Sequence, residues 1–366
     1  MKILHVVGAR PNFMKLAPVA RALAKHAGVT QKIVHTGQHY DEAMSESFFR
    51  DLGIAEPDLN LEVGSASHAA QTARIMERFE PVVERERPDW VVVYGDVNST
   101  VAAALVCAKL GTKLCHVEAG LRSGDRTMPE EINRLVTDRL ADLLLTPSRD
   151  GDDNLLLEGV EPSRIQFVGN VMVDTLLHAL PMAQASGFRE QLGLKVDGYS
   201  LVTLHRPSNV DVPERLQRIC RALGEIAEHM PVVFPMHPRT RSRLADSDRL
   251  SLGRVRLLDP TPYHATLDLT AGARVVITDS GGIQEETTAL GVPCLTLRDN
   301  TERPITVTEG TNRLVLDLST LRDLALTSRR REKAPPPQGW DGRAGERVAL
   351  ALTNGRLREP AIEKLR

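Results

Sequence analysis

The strongest constraint on this chain is a unit that keeps returning from its first residues onward: a short apolar run, a glycine-containing or polar turn, then a stretch of helical spacing. The runs at 2–7, 32–36, 90–94, 113–117, 143–146 and 164–168 are apolar, mostly β-branched or leucine-rich, and too short to be buried helices. Helical patterns lie between them. One covers 13–24, with Phe13, Leu16, Val19, Ala20 and Leu23 on one face, and another covers 69–87 and ends at Pro88. Such alternation leads to a parallel sheet with helices on both faces. After Gly169-Asn170 the cycle starts again, with runs at 199–204, 232–236, 255–258, 275–277, 294–297 and 313–316. A chain of 366 residues also exceeds what a single core serves. The expectation is an α/β protein of two Rossmann-like domains, 1–170 and 171–344, the second range including a stiff Pro-rich connector (Pro335-Pro336-Pro337) near its end, and then a final helical segment, 345–366.

Residues 275–304 read VVITDSGGIQEETTALGVPCLTLRDNTERP. A strand, a Gly281-Gly282 turn and a helix beginning near Ile283 would present backbone N–H groups and the positive end of a helix dipole, an arrangement suited to a phosphate. Thr278, Asp279 and Ser280 offer capping oxygens there. Glu285, Glu286, Glu302 and Arg303 add groups able to recognise hydroxyls and an anion. The first domain offers Arg10 in the turn after its first strand and Lys15 about one helical turn later. That turn reads G-A-R-P and not G-x-G-x-x-G, so a dinucleotide site is not supported.

Composition removes other classes. A net charge of −2 gives no electrostatic case for nucleic acid or an anionic membrane, and 4% aromatic content gives no base-stacking surface. Cys107, Cys115, Cys220 and Cys294 stand singly in apolar surroundings and read as buried, reduced thiols of a cytoplasmic protein. The N-terminal apolar run is too short for a signal peptide or a membrane span. His205 and His237 lack zinc-type spacing, and no serine sits in a G-x-S-x-G elbow.

What remains is positional. In open α/β sheets ligands sit beyond the carboxyl ends of the strands. Here those ends carry Arg10, His39, Asp96, Glu118, His205, His237 and Asp279-Ser280. One such residue is commonly only a helix cap; a set of them in register across two domains points to one cleft between the domains. The carboxylates Asp96, Glu118, Glu130 and Glu131, with histidines and a phosphate cradle, suit proton transfer on a nucleotide-linked sugar, and carboxylates near a phosphate and one another are expected to have raised pKa values.

The segments GARPNFMKLAP, TGQHYD, GDVNST, HVEAGLRSGDRTMPEEINR, the HR-x-x-N at His205, DSGGIQEE and RDNTERP together resemble the non-hydrolysing UDP-N-acetylglucosamine 2-epimerases, over residues 2 to about 316. The resemblance implies the two-domain fold of glycogen-phosphorylase-type glycosyltransferases (GT-B), a C-terminal helix returning to the N-terminal domain, and a homodimer. It implies that Arg10, Lys15, Ser280, Gly281, Gly282, Glu286 and Arg303 bind UDP, with Glu286 on the ribose, and that Thr261 lies at a base-contacting position. Thr266 stands where members often place an aromatic near uracil, so Tyr263 is the alternative for stacking. Asp96, Glu118, Glu130 and His205 match the catalytic positions, without a division into base and acid. The implied reaction interconverts UDP-GlcNAc and UDP-ManNAc by anti elimination of UDP and its re-addition through a 2-acetamidoglucal. The implied partner is the UDP-sugar alone, with no cofactor, metal, nucleic acid or membrane. The chain departs from the family where many members read H-R-R-E-N and it has Pro207 and Ser208. A related UDP-2,3-diacetamido uronic sugar, or a glycosyltransferase of the same fold, is therefore the alternative.

Overall fold

In the computed structural model, residues 1–38, 49, 52–330 and 335–354 are described. His39 and most of the helix expected up to Phe49 lie outside them, as do Ala334 and residues 355–366. The chain divides into two compact units, Met1–Thr175 with Gln338–Arg366, and Leu176–Pro337.

The first unit is built on β1 (Lys2–Val7), β2 (Thr30–His35), β3 (Leu59–Asn60), β4 (Trp90–Tyr94), β5 (Leu114–Val117), β6 (Leu143–Thr146) and β7 (Ile165–Phe167). They form one seven-stranded sheet in the order β3-β2-β1-β4-β5-β6-β7, every pairing parallel. Six of these strands stand where the apolar runs place them. The seventh, β3, is two residues long and sits in a polar loop, so it has no periodic signal; its pairing with the end of β2 creates it. The helices α1 (Arg10–Leu23), α2 (His68–Glu86), α3 (Asn98–Leu110), α4 (Pro129–Leu140) and α5 (Arg149–Leu157) follow strands or loops of this sheet. Leu4, Val6, Val91, Val93, Phe79, Ala102 and Leu144 belong to its buried core.

The second unit carries β8 (Ser200–Thr203), β9 (Val232–Pro235), β10 (Arg256–Leu258), β11 (Val275–Thr278), β12 (Cys294–Thr296) and β13 (Asn312–Leu314). These pair in parallel in the order β10-β9-β8-β11-β12-β13. Both orders are the doubly wound one, in which the direction of winding reverses beside the first strand of the unit. The reversal falls between β1 and β4 in one unit and between β8 and β11 in the other.

The boundaries differ from those read in the sequence. The helix α6 (Val171–Ala185) spans the division. Its start belongs to the first unit, where Asp174 accepts from Ala344 N (3.1 Å) and Gly345 N (2.7 Å) and Thr175 Oγ1 donates to Met14 O. From Leu176 on it packs with Leu267. The chain rejoins the first unit at Gln338, ahead of the expected 345, because Trp340 is buried there and donates from Nε1 to Pro147 O (3.1 Å). The last described helix, α7 (Ala344–Asn354), lies against α1: a Cβ on Gly345 would stand 2.6 Å from Pro18 O. No helix of the described residues is long and apolar enough to cross a membrane. The four cysteines are buried and unpaired, and burial pushes the thiols of Cys107 and Cys220 up to about 12 and that of Cys294 to about 11.

Candidate active site

At the reversal point of the first unit, the turn after β1 leads directly into α1. Arg10 is the first residue of that helix and not part of the turn, with Ala9 as its N-cap. Asn12 closes the turn by accepting from Gly8 N (3.0 Å) and Ala9 N (3.1 Å) and donating to Tyr94 O (2.9 Å), which ties β1 to β4. One turn along α1, Lys15 is 6% exposed and its ammonium stands 2.7 Å from Glu118 Oε2. Room for that ammonium comes from Gly95 (φ +62°), where a Cβ would lie 2.6 Å from Lys15 Nζ. Glu118 itself adopts a left-handed backbone (φ +75°), a conformation costly for a residue with a Cβ and often found where a side chain must be aimed.

Next to Gly95, the Asp96 carboxylate pairs with Arg134 of α4, and Asn133 donates to Asp96 O (2.8 Å). Arg134 also holds Glu131 (2.7 Å), one helical turn earlier. Glu131 is buried and accepts from Ser123 N and Gly124 N, both at 3.0 Å. Burial alone would push its carboxyl up, but these amides and Arg134 hold it below the usual carboxylate range. The expected upward shift therefore fails for Glu131, whose charge is occupied in structure. Glu130, its neighbour, is exposed at the start of α4. Arg134 was not among the expected site residues, although Glu131 was; the spacing of three between them was the available signal. Gln38 is another: its amide oxygen accepts from Ser99 N (2.9 Å) and Ser99 Oγ (2.7 Å), joining the ends of β2 and β4.

In the second unit, the reversal point joins His205, after β8, to Asp279, after β11. Asp279 accepts from His205 N (3.1 Å), Arg206 N (3.0 Å) and Asn209 Nδ2 (3.1 Å), and lies 3.1 Å from His205 Nδ1. Burial would raise its carboxyl, yet His205, Asn209 and Arg206 hold it below its ordinary value. Its ionised carboxylate accepts from His205 Nδ1–H and so orients the ring, a side chain 44% exposed, leaving Nε2 as the nitrogen not used by Asp279. Asp279 is thus no helix cap. The Ser280 hydroxyl makes no cap bond either, and Thr278 Oγ1 accepts from Ser280 N (3.0 Å). His237 lies beside His205 with the rings tilted by 43° and their centroids 5.9 Å apart, and burial with the neighbouring His205 and Arg239 lowers its pKa.

The glycines differ from expectation too. The helix after β11, α8 (Gly281–Leu290), begins at Gly281, and neither Gly281 nor Gly282 has positive φ. Gly281 is required by proximity: a Cβ would meet Glu302 Oε1 at 2.7 Å and Arg303 Nη1 at 2.8 Å. A Cβ on Gly282 would meet nothing within 4 Å, so no neighbouring side chain fills the space beside the first turn. Arg303 is held by Glu302 (2.6 Å) and Glu285 (3.0 Å), and Arg298 by Glu302 (2.8 Å), a buried network that fixes the start of the helix. Glu286 is buried and accepts from Tyr263 OH (3.2 Å). Burial and the charge of Glu285 raise its pKa to about 7 against the pull of Tyr263. Thr261 and Thr266 share a hydrogen bond of 2.7 Å. Arg10, Lys15, Asp96 and Glu118 thus lie in the first unit with Glu130, and His205, Thr261, Ser280, Gly281, Gly282, Glu286 and Arg303 in the second. Among the described residues no group of three His, Cys, Asp or Glu side chains could hold a metal ion.

Two doubly wound parallel sheets, each with polar and ionisable residues after the carboxyl ends of its strands, define an α/β protein of the GT-B class. At the level of fold alone, sucrose-phosphate synthase from Thermosynechococcus elongatus has a TM-score of 0.55 at 15% identity, over 96% of this chain and 94% of that one. The family model described as UDP-N-acetylglucosamine 2-epimerase matches residues 21–353, and the chain belongs to that family. UDP-N-acetylglucosamine 2-epimerase from Methanocaldococcus jannaschii is 42% identical over 97% of this chain and 100% of its own. Its crystal structure in complex with UDP-GlcNAc and UDP gives a TM-score of 0.86. UDP-2,3-diacetamido-2,3-dideoxy-D-glucuronate 2-epimerase from Pseudomonas aeruginosa is 44% identical over 90% of this chain and 92% of its own.

Proposed function

We propose that this protein is a non-hydrolysing 2-epimerase that interconverts UDP-GlcNAc and UDP-ManNAc. The observation that carries the reading is the pair of carboxylates Asp96 and Glu118, held by Arg134 and Lys15 at the reversal point of the first sheet. A weakly acidic C2–H needs a placed carboxylate within reach, and its partner cations keep that carboxylate aimed. One carboxylate takes the C2 proton, the C–H electron pair forms the C1=C2 bond, and the C1–O bond breaks to release UDP. Gly281, Gly282 and Arg303 hold the diphosphate that leaves, while Glu286 accepts from the ribose hydroxyls. A proton is then delivered to C2 on the opposite face of the ring, and the retained UDP re-forms its bond to C1. Asp96, Glu118 and Glu130 share the base and acid roles, and His205, fixed by Asp279, presents Nε2 to the substrate. The same steps leave nicotinamide without a task.

A second reading has its own support. Identity to the diacetamido-glucuronate 2-epimerase is as high as to the UDP-GlcNAc enzyme, and Pro207-Ser208 changes the segment beside His205. Both readings share the C2 chemistry and differ in the substituents at C3 and C6. Incubation with each UDP-sugar in D₂O, followed by NMR at C2, tests them. Deuterium at C2 with a gluco–manno mixture from UDP-GlcNAc supports the first; exchange only with the uronic sugar supports the second. Transfer to an added acceptor without exchange overturns both.

A further inference from the structure

Glu118 is strained and buried, and something must keep it so. The residues two before and two after it are fastened to one carboxylate. On β5, His116 places Nδ1 2.6 Å from Asp138 Oδ1, and Gly120 (φ +82°) donates its N–H to Asp138 Oδ2 at 3.1 Å. Asp138 lies on α4, the helix that also carries Arg134 and Glu130. The other ring nitrogen of His116, Nε2, stands 2.8 Å from Gly95 O, the carbonyl immediately before Asp96. His116 and Asp138 are 0% and 1% exposed, so these bonds are shielded from bulk water.

The chemistry of the contacts fixes the ring's proton count. A peptide carbonyl and a carboxylate are both acceptors, and the Asp138 carboxylate already takes Gly120 N–H and the Arg122 guanidinium (2.7 Å). Both ring nitrogens must therefore donate. The cation this makes is balanced inside the cluster, since Arg122 also forks onto Glu158 through Nε (2.7 Å) and Nη2 (2.8 Å). His116 with Arg122 carries two positive groups against Asp138 and Glu158.

We propose that His116, donating from both ring nitrogens, is a positioning residue that locks the strand end bearing Asp96 to the strand end bearing Glu118, and through Asp138 to the helix bearing Arg134 and Glu130. It rests on the 2-epimerase reading for the roles of those carboxylates. It touches none of the groups that reach substrate. Its effect is on the distance and direction between two carboxylates, and a displacement near 1 Å at such a pair costs about 100-fold in rate.

Two measurements test this. In ¹⁵N-histidine-labelled wild-type protein, one of the 11 histidines must show two slowly exchanging ring N–H signals that vanish in His116→Gln. A His116 ring with a single N–H overturns the proposal whether or not the variant folds. In His116→Gln, one amide replaces two donors; kcat per folded molecule, counted by near-UV circular dichroism, should fall about 100-fold, while KM and the Kd for UDP stay within about threefold. Retained kcat, or a parallel loss of kcat and UDP affinity, overturns it. Wild-type C2 exchange is measured first. Its failure on both UDP-sugars refutes the functional reading, and the ring N–H signals then still report on the His116 bracket by themselves.

Discussion

The second unit keeps a carboxyl group at a cost that grows with pH, and Glu286→Gln exposes that cost. Burial first, and the neighbouring Glu285 second, raise the Glu286 pKa from 4.5 to about 7, with the Tyr263 hydroxyl pulling the other way. A carboxyl whose folded pKa lies above its unfolded value binds its proton more tightly in the native state. Its stabilising share is complete below 4.5, falls as pH rises through the interval to about 7, and is then gone. At 1.36 kcal/mol per pH decade the interval corresponds to about 3 kcal/mol. Glutamine keeps an acceptor for Tyr263 and never ionises, so the variant should unfold at nearly the wild-type temperature at pH 4.5. At pH 8 its second unit should gain about 3 kcal/mol, a rise of roughly 6–12 °C for a unit of this size. The assay is the double difference, variant minus wild type at each pH, by calorimetry on ligand-free protein; other titrating groups cancel in it. An equal shift at both pH values, or destabilisation at pH 8, refutes the argument. The same substitution should weaken UDP, since the ionised carboxylate is what would accept from two ribose hydroxyls. A group that destabilises the free protein and serves the ligand is the trade expected at a binding site.

Three further outcomes follow from single contacts. Asp96→Asn and Glu118→Gln should each lose turnover by about 10²–10⁴-fold while binding UDP normally by calorimetric titration, because the residues proposed to hold the diphosphate, Gly281, Gly282 and Arg303, are in the other unit; near-normal turnover would remove that residue from the chemistry. Gly281→Ala must displace Glu302 and Arg303 and should destabilise the second unit by about 1–3 kcal/mol, whereas Gly282→Ala, with open space around it, should leave stability unchanged and lose UDP only by filling the ligand's place. Equal stability effects would refute the proximity argument. Trp340→Ala should cost the first unit about 3–5 kcal/mol in denaturant unfolding, since it empties a buried indole site and orphans Pro147 O; a cost under about 1 kcal/mol would show that the C-terminal segment is not anchored there.

Most of the fold was legible because buried parallel strands announce themselves as short apolar runs, and all but one of these were long enough to be seen. The exception, β3, owes its existence to one neighbour and to nothing in its own two residues. Boundaries were less legible. The sequence around Val171 and Gly345 shows where helices start, but the split within α6 is decided by what each turn touches: Asp174 caps Ala344 and Gly345, and Leu176 packs with Leu267. A contact across some 170 residues of chain leaves no local trace.

The candidate site was legible in the same uneven way, and the unevenness has a cause. A strand end tells where a side chain emerges, so Asp96, Glu118, His205 and Asp279 could be found by position alone. Position does not tell what a carboxylate is spent on. Asp279 and Glu131 looked equivalent to Asp96 and Glu118 as candidates, yet Asp279 is consumed by His205, Arg206 and Asn209, and Glu131 by two amides and Arg134. Adjacent Glu130 and Glu131 show the point most sharply, one exposed at the helix start and the other buried beneath it. A 3.6-residue helix turns successive side chains by about 100°, so of two neighbouring glutamates only one can face inward. The inward one satisfies the Ser123–Gly124 turn and pairs with Arg134, which also holds Asp96; the outward one is left exposed at the helix start. Buried Glu131 thus holds the arginine that pairs with Asp96, and part of the carboxylate pattern in the sequence is scaffold.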